Sequence, residues 1–302
     1  MTQNKKVNVI HVPFWLGGGR SGAELGPESI MQAGLTRQLR AIEGIELGDI
    51  STVDCPRSAG DRGGSDKAKH LPEVKEMSRL LCESVSRTVE EGAFPLVLGG
   101  DHSIAMGSIA GLTNHYRNLG VIWFDAHSDL NTEETTLTGN MHGMPLAVAL
   151  GRSRFNLSDI PGAGPFIKKE NVVIIGARDL DPGEKELIRA EGITCFSMHE
   201  IDRLGIKAVV EKALEVAGNG TDGIHLSFDM DCLDPLEAPG VSTPVPGGLN
   251  YREAHFALEL LAETGRMTSM DLVEVNPYID FNMRTARLAV ELIASTLGKR
   301  IL

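Results

Sequence analysis

Surplus positive charge, paired cysteines and long apolar runs are all missing from this chain of 302 residues. Lys and Arg number 29 against 41 Asp and Glu, a net charge of -12. Neutralising a phosphate backbone needs concentrated cations, so nucleic acid is excluded as a partner. The acidic balance suits a cationic substrate or metal ions instead. The four cysteines, Cys55, Cys82, Cys195 and Cys232, are widely spaced and form no C-x-x-C, which argues against a zinc knuckle or a redox pair and for a reduced compartment. No apolar run approaches the roughly 18 residues of a membrane span. The first residues, MTQNKKVNVI, lack the apolar core of a signal peptide. The expectation is a cytoplasmic, soluble chain with no membrane partner.

What is present is an ordinary globular composition, 42% hydrophobic and 23% charged. Short apolar, β-rich runs recur at 7–14, 96–98, 121–124, 172–175, 224–228 and 268–275, with helical patterns between them. In 71–92, for example, Val74, Met77, Leu81, Val85 and Val89 fall at three- and four-residue spacing before Gly92. Such alternation predicts an α/β fold, a single three-layer domain over 1–302 with a mostly parallel central sheet flanked by helices. Long polar connections at 54–70, 131–144, 180–186 and 229–250 should then lie beyond the carboxyl ends of the strands, where ligand sites of open sheets form.

The stretch WFDAHSDLN at 123–131 ends an apolar strand in Asp125, His127 and Asp129, spaced two apart and so expected on one side of an extended chain. Such a cluster is either a solvated turn or a set of cation ligands, since buried carboxylates repel one another unless a cation intervenes. Other strand ends supply similar groups. LVLGGDHS at 96–103 breaks at two glycines before His102, with Asp101 as a helix cap or a partner orienting its neighbour. HLSFDMDCLDP at 225–235 offers Asp229 and Asp231, again two apart. DLVEVNP at 271–277 offers Glu274, with Asp271 as its competitor. His142, in a loop of small and polar residues, is placed to swing and exchange protons near neutral pH. His225 and the remaining histidines are read as structural. Residues 17–22, GGGRSG, match G-x-G-x-x-G after a strand, but the next helix more naturally opens at Pro27, and a glycine-rich turn is favoured over a nucleotide loop.

Together His102, Asp125, His127, Asp129, Asp229 and Asp231 give two imidazoles and four carboxylates, more than one divalent ion requires and suited to two ions sharing bridging carboxylates. The oxygen-rich set favours Mn²⁺, with Fe²⁺, Co²⁺ and Zn²⁺ compatible by ligand type. Metal-assisted hydrolysis is the reaction class expected.

The motifs GGDHS, DAHSDLN, TGNMHGMP, SFDMDCLDP, STPVPGG and EVNP, joined by GGGRSGAELGPESI and GARDLDPGE, resemble those of the ureohydrolases, and within them the arginases. The resemblance spans nearly the whole chain. It implies two Mn²⁺ per subunit held by these six ligands, and a hydroxide shared by the ions that cleaves L-arginine to L-ornithine and urea. It implies His142 as general acid or proton shuttle, Glu274 as the guanidinium's partner, and Asp129 as both ligand and proton carrier. Asn131, Thr138 and Asp181, with Glu184 near the amino group, match positions that read the substrate's α-carboxylate and α-amino groups. Ser128 stands where a glycine or other small residue is frequent, and Thr138 where serine is usual. A homo-oligomer, trimer or hexamer, is also implied. A ureohydrolase for agmatine or guanidinobutyrate, a nucleotide-binding protein using 17–22, and a metal-binding regulator without turnover are the competing readings.

Overall fold

Among the described residues, eight strands, parallel at every pairing, make up one sheet in the order β2-β1-β3-β8-β7-β4-β5-β6. The computed structural model describes residues 5–57 and 65–300, so part of the connection expected at 54–70 lies outside the described residues. The strands are β1 (Lys5–Val12), β2 (Ile45–Thr52), β3 (Phe94–Gly99), β4 (Leu119–Phe124), β5 (Val172–Ala177), β6 (Thr194–Ser197), β7 (Gly223–Asp229) and β8 (Met267–Val273). The helices are α1 (Gly26–Gln32), α2 (Leu35–Arg40), α3 (Leu71–Glu90), α4 (Ala105–Thr113), α5 (Pro145–Ala149), α6 (Pro182–Glu191), α7 (Met198–Leu204), α8 (Ile206–Ala217), α9 (Tyr251–Glu263) and α10 (Arg284–Thr296).

Every residue of β3, β4, β5 and β7 is buried. Helices cover both faces, which is why these strands read as continuous apolar runs rather than alternating ones. One core layer joins the sheet to α1, α2 and α7 to α10, through residues such as Ile30, Leu39, Val209, Leu258 and Ile293. The other joins it to α3, α4 and α5 through Met77, Leu81, Ile109 and Val148. Val74, Met77, Leu81 and Val85 form the buried stripe of α3, as their spacing predicts. Asn250 opens α9 by accepting from Glu253 N at 3.0 Å while the Glu253 carboxylate accepts from Asn250 N, a reciprocal cap that satisfies two otherwise orphaned donors. Pro27 lies in the first turn of α1, as expected.

Two strands have no counterpart in the apolar pattern. β2 and β6 are the sheet's edges and are largely half-buried or exposed, so no continuous hydrophobic run marks them. The order of the inner strands gathers distant parts of the chain. β8, last in sequence, lies between β3 and β7, and because all strands run the same way, the segments leaving β3, β8, β7 and β4 emerge together at one edge.

Candidate active site

The expected ligands converge beyond that edge. His102 Nδ1 lies 3.1 Å from carboxylate oxygens of Asp125, Asp129 and Asp229. His127 Nδ1 lies 3.3 Å from Asp125 and from Asp231. Among the described residues, His102, Asp125 and Asp129 form one group of mutually close ligand atoms, and Asp125, His127 and Asp231 another. Asp125 belongs to both, turning Oδ2 to His102 and Oδ1 to His127.

Simple strand alternation does not place these groups. β4 stops at Phe124, and Asp125, His127 and Asp129 follow in irregular backbone, with Asp129 in the left-handed region at φ 53°. His102 sits in a short 3-10 turn, His102–Ile104, that Asp101 caps by accepting from Ser103 N at 3.0 Å. Asp229 ends β7 and accepts from Asp231 N at 2.7 Å, closing the 3-10 turn Met230–Cys232. Nor do Gly99 and Gly100 have positive φ. Gly100 is required by close approach, because a Cβ there would overlap the Phe14 carbonyl.

Around the ligands stands a layer of fixed donors. Trp123 stacks on the His102 ring at 4.1 Å and donates Nε1–H to Asp125 Oδ2 at 2.9 Å. The Thr243 hydroxyl donates to Asp231 Oδ2 at 2.9 Å, and Ala126 N to Asp231 Oδ1 at 3.2 Å. Arg178 spreads its guanidinium over the carbonyls of Gly176, Asp231, Cys232, Leu233 and Val245, which holds the turn after β7 against the segment that bears Thr243.

The electrostatics describe a site short of positive charge. Burial and the Asp125 charge push Asp129 up to about 7. Asp229 is driven well above the usual carboxylate range by burial and by Asp231 and Asp125. Burial opposes charging of His102 and His127, yet the surrounding carboxylates hold both imidazoles far above their ordinary value. Buried atoms without a hydrogen-bond partner include His102 Nδ1 and Asp129 Oδ2, pointing into the cluster. Orphaned ligand atoms beside mutually repelling carboxylates fit two divalent cations, which would take the place of the protons.

His142 and Glu274 adjoin this cluster. Glu274 leaves β8 with φ 66° and accepts at Oε1 from His102 N at 3.0 Å, with His142 Nδ1 3.1 Å from the same oxygen. Its Oε2 is buried without a partner. Left-handed backbone at two non-glycine site residues, Asp129 and Glu274, is strain of the kind that functional sites hold. Burial opposes a charge on His142, but Glu274, Asp101 and Asp129 raise it to about 9. His142 does not hang in an open loop; it lies in the 3-10 turn Met141–Gly143 and donates its backbone N–H to Gly17 O at 3.2 Å.

That contact shows what the glycine run is for. Gly18 N donates to Asp101 Oδ2 at 2.9 Å, Asn140 donates to Gly18 O, and a Cβ on Gly17 would overlap Ser103 and Asp101. The run packs as a wall beside His142, and a 3-10 turn, Ala23–Leu25, separates it from α1. A nucleotide-cradling loop at 17–22 is not favoured.

A cavity of about 200 Å³ opens over the cluster, lined on the ligand side by His102, His127, Asp129, Asp229 and Asp231 and elsewhere by Asn131, Thr138, His142, Asp181 and Glu184. Asn131 Nδ2 donates to Asp181 Oδ2 at 2.8 Å. Glu184 is fully engaged. It accepts from Ser128 Oγ at 2.8 Å and Leu130 N at 3.1 Å through one oxygen, and from Asp181 N at 2.7 Å through the other as the cap of α6. Ser128 thus ties the metal-ligand segment to α6. Thr138 is exposed at the rim. Thr243, Arg178, Trp123 and Ser227, and the cavity-lining Thr136, Asn140 and Asp179, were not singled out by residue type, although most lie inside motifs that were.

The profile of the Arginase family matches residues 5–298. The arginase of Bacillus subtilis (strain 168) is 48% identical over 299 residues, covering 99% of this chain and 100% of that protein. The crystal structure of arginase from Bacillus cereus superposes with a TM-score of 0.92 at 50% identity, covering 99% of this chain and 100% of that one. The native Bacillus caldovelox arginase structure gives 0.95 at 46% identity with the same coverage.

Proposed function

Since this chain belongs to the arginase family over its described length, we infer that it is an arginase, a hydrolase that cleaves the guanidino C–N bond of L-arginine to give L-ornithine and urea. The observation that carries the reading is Asp125 shared between two His–Asp groups at the floor of a cavity whose wall bears the Asn131–Asp181 pair.

In this reading His102, Asp125, His127, Asp129, Asp229 and Asp231 would hold two Mn²⁺ between them, His102 and Asp129 on one side of Asp125 and His127 and Asp231 on the other. When bound, the ions supply Lewis-acid chemistry that makes water a nucleophile near neutral pH. The chain's own residues do the rest. Glu274 Oε2, buried and unpartnered, is the charge that receives the substrate guanidinium and orients its carbon for attack. Asp129 takes up the proton that the attacking water gives up and passes it to the departing nitrogen as the C–N bond breaks. His142, whose charged form Glu274 and Asp101 favour, delivers a proton to the departing ornithine amine. Asn131, Asp181 and Thr138 face the amino-acid end, with Glu184 holding Asp181 and the 128–130 segment in place.

One catalytic domain spanning 1–302, acting in the cytoplasm as a homo-oligomer, trimer or hexamer, completes the proposal. Its supports are the family resemblance and the absence, among the described residues, of a helix long and apolar enough to cross a membrane.

Urea and ornithine release from arginine after Mn²⁺ loading, with and without chelator, tests the activity, and the same assay on agmatine tests the substrate. Turnover of arginine that chelator abolishes is expected. No turnover in metal-loaded protein, or equal use of agmatine, would overturn the reading. Asp231→Asn should lose bound metal.

A further inference from the structure

β7 and β8 carry a polar column through an otherwise apolar layer. His225 and Ser227 lead along one face of β7 to Asp229, while Ser269 and Asp271 stand opposite His225 and Ser227 in the β7–β8 register. All four are at most 1% exposed. Their register neighbours on the flanking strands are apolar: Val97 beside Asp271, Val121 beside His225 and Trp123 beside Ser227. Hydrophobic side chains would fit such a layer without desolvating polar groups, so the column calls for a reason beyond packing.

The column ends on a metal ligand. His102 Nε2 lies 2.8 Å from Ser227 Oγ. For Nδ1 to offer its lone pair to a cation, Nε2 must carry the ring proton and donate it. A serine hydroxyl can accept that proton's hydrogen bond or donate its own, and its other neighbour decides. Asp271, as a carboxylate, can only accept. Its Oδ1 has no donor in the static geometry, leaving it the acceptor to which the rotatable Ser227 proton is drawn. The Ser227 lone pair then faces His102. His225 keeps Asp271 in this role: its Nε2 lies 3.1 Å from Asp271 Oδ2 and its Nδ1 2.9 Å from Ser269 Oγ.

We propose that Asp271, held by His225, is a positioning residue that acts through Ser227 to fix the His102 ring with Nδ1 free for its cation. The proposal rests on the two-metal reading and goes beyond it by making metal affinity depend on a carboxylate inside the sheet. It also predicts asymmetry, because no such column stands behind His127 among the described residues.

Mn²⁺ titration of the full chain, followed by the electron paramagnetic resonance signal of free Mn²⁺ and by calorimetry, tests it. Wild type should bind two ions. Asp271→Asn keeps the side chain's shape but offers an N–H toward Ser227, so the hydroxyl can turn and donate to Nε2. One of the two ions should then weaken by roughly ten- to hundred-fold, as loss of an outer partner of a metal-binding histidine typically does. The ion affected should be the same one that His102→Asn weakens more severely, with the second ion unaffected. His225→Gln should weaken the same ion less. If Asp271→Asn does not fold, Ser227→Ala leaves the Asp271–His225 pair intact and should show the same selective loss. Two unchanged ions with a lowered melting temperature, or equal weakening of both, would overturn the proposal. Failure of wild type to bind two ions would overturn the metal reading itself.

Discussion

His142 Nδ1 and Glu274 Oε1 stand 3.1 Å apart, and that same oxygen receives the backbone N–H of His102. One carboxylate therefore orients the proposed proton donor and braces the turn that bears a metal ligand. The two duties use one oxygen and leave the other, Oε2, buried without a partner.

His142→Asn removes the proton donor but no ligand. We predict that it binds two Mn²⁺ like wild type while kcat for arginine falls by about 10²–10⁴-fold, the usual contribution of a positioned acid. Metal stoichiometry and kcat measured on the same sample decide it; an unchanged kcat would remove His142 from the mechanism.

At the other end of the cavity, Asn131→Ala deletes the amide that donates to Asp181 at 2.8 Å. Arginine carries the α-carboxylate that agmatine lacks. The variant should lose about 10- to 100-fold in kcat/KM for arginine, equivalent to roughly 1–3 kcal/mol for an unpaired polar group, with a much smaller change for agmatine. Parallel losses on both substrates would show that Asn131 does not read the amino-acid end.

Gly17→Ala tests the wall beside His142. Its added methyl would overlap Ser103 and Asp101, and the Asp101 cap of the His102 turn must shift to admit it. A destabilisation of about 1–3 kcal/mol in urea unfolding is expected, the range for overpacking a filled site. NAD and ATP should bind neither form; saturable binding of either would restore the nucleotide reading of the glycine run.

Residue types at strand ends made the six proposed ligands legible, and the structure brings their side chains together. The geometry that gathers them was not legible. Asp125, His127 and Asp129 owe their convergence to an irregular turn with left-handed Asp129, not to alternation along β4. Glu274 was readable as a strand-end acid, but its bonds to His102 and His142 depend on β8 lying beside β3, which no local pattern shows. Thr243 and Arg178 lie inside quoted motifs, STPVPGG and GARDLDPGE, but their roles went unmarked because each works on atoms far along the chain. His225 was read as structural, although its bond to Asp271 joins it to the column behind His102. The edge strands were missed because exposure removes the hydrophobic signal.

The place of β8 in the sheet bears on how the protein acquires its metals. Until that last strand enters, β2-β1-β3 and β7-β4-β5-β6 share no pairing, and His102 belongs to one half while Asp125, His127, Asp129, Asp229 and Asp231 belong to the other. The ligand set containing His102 joins segments more than a hundred residues apart, His102 to Asp229 among them, and we predict that it forms late in folding. On that prediction, cation capture there would lock a finished sheet rather than nucleate one. Refolding followed with and without Mn²⁺ should give the same folding rate and a slower unfolding rate with the ion, as expected for an interaction formed after the transition state.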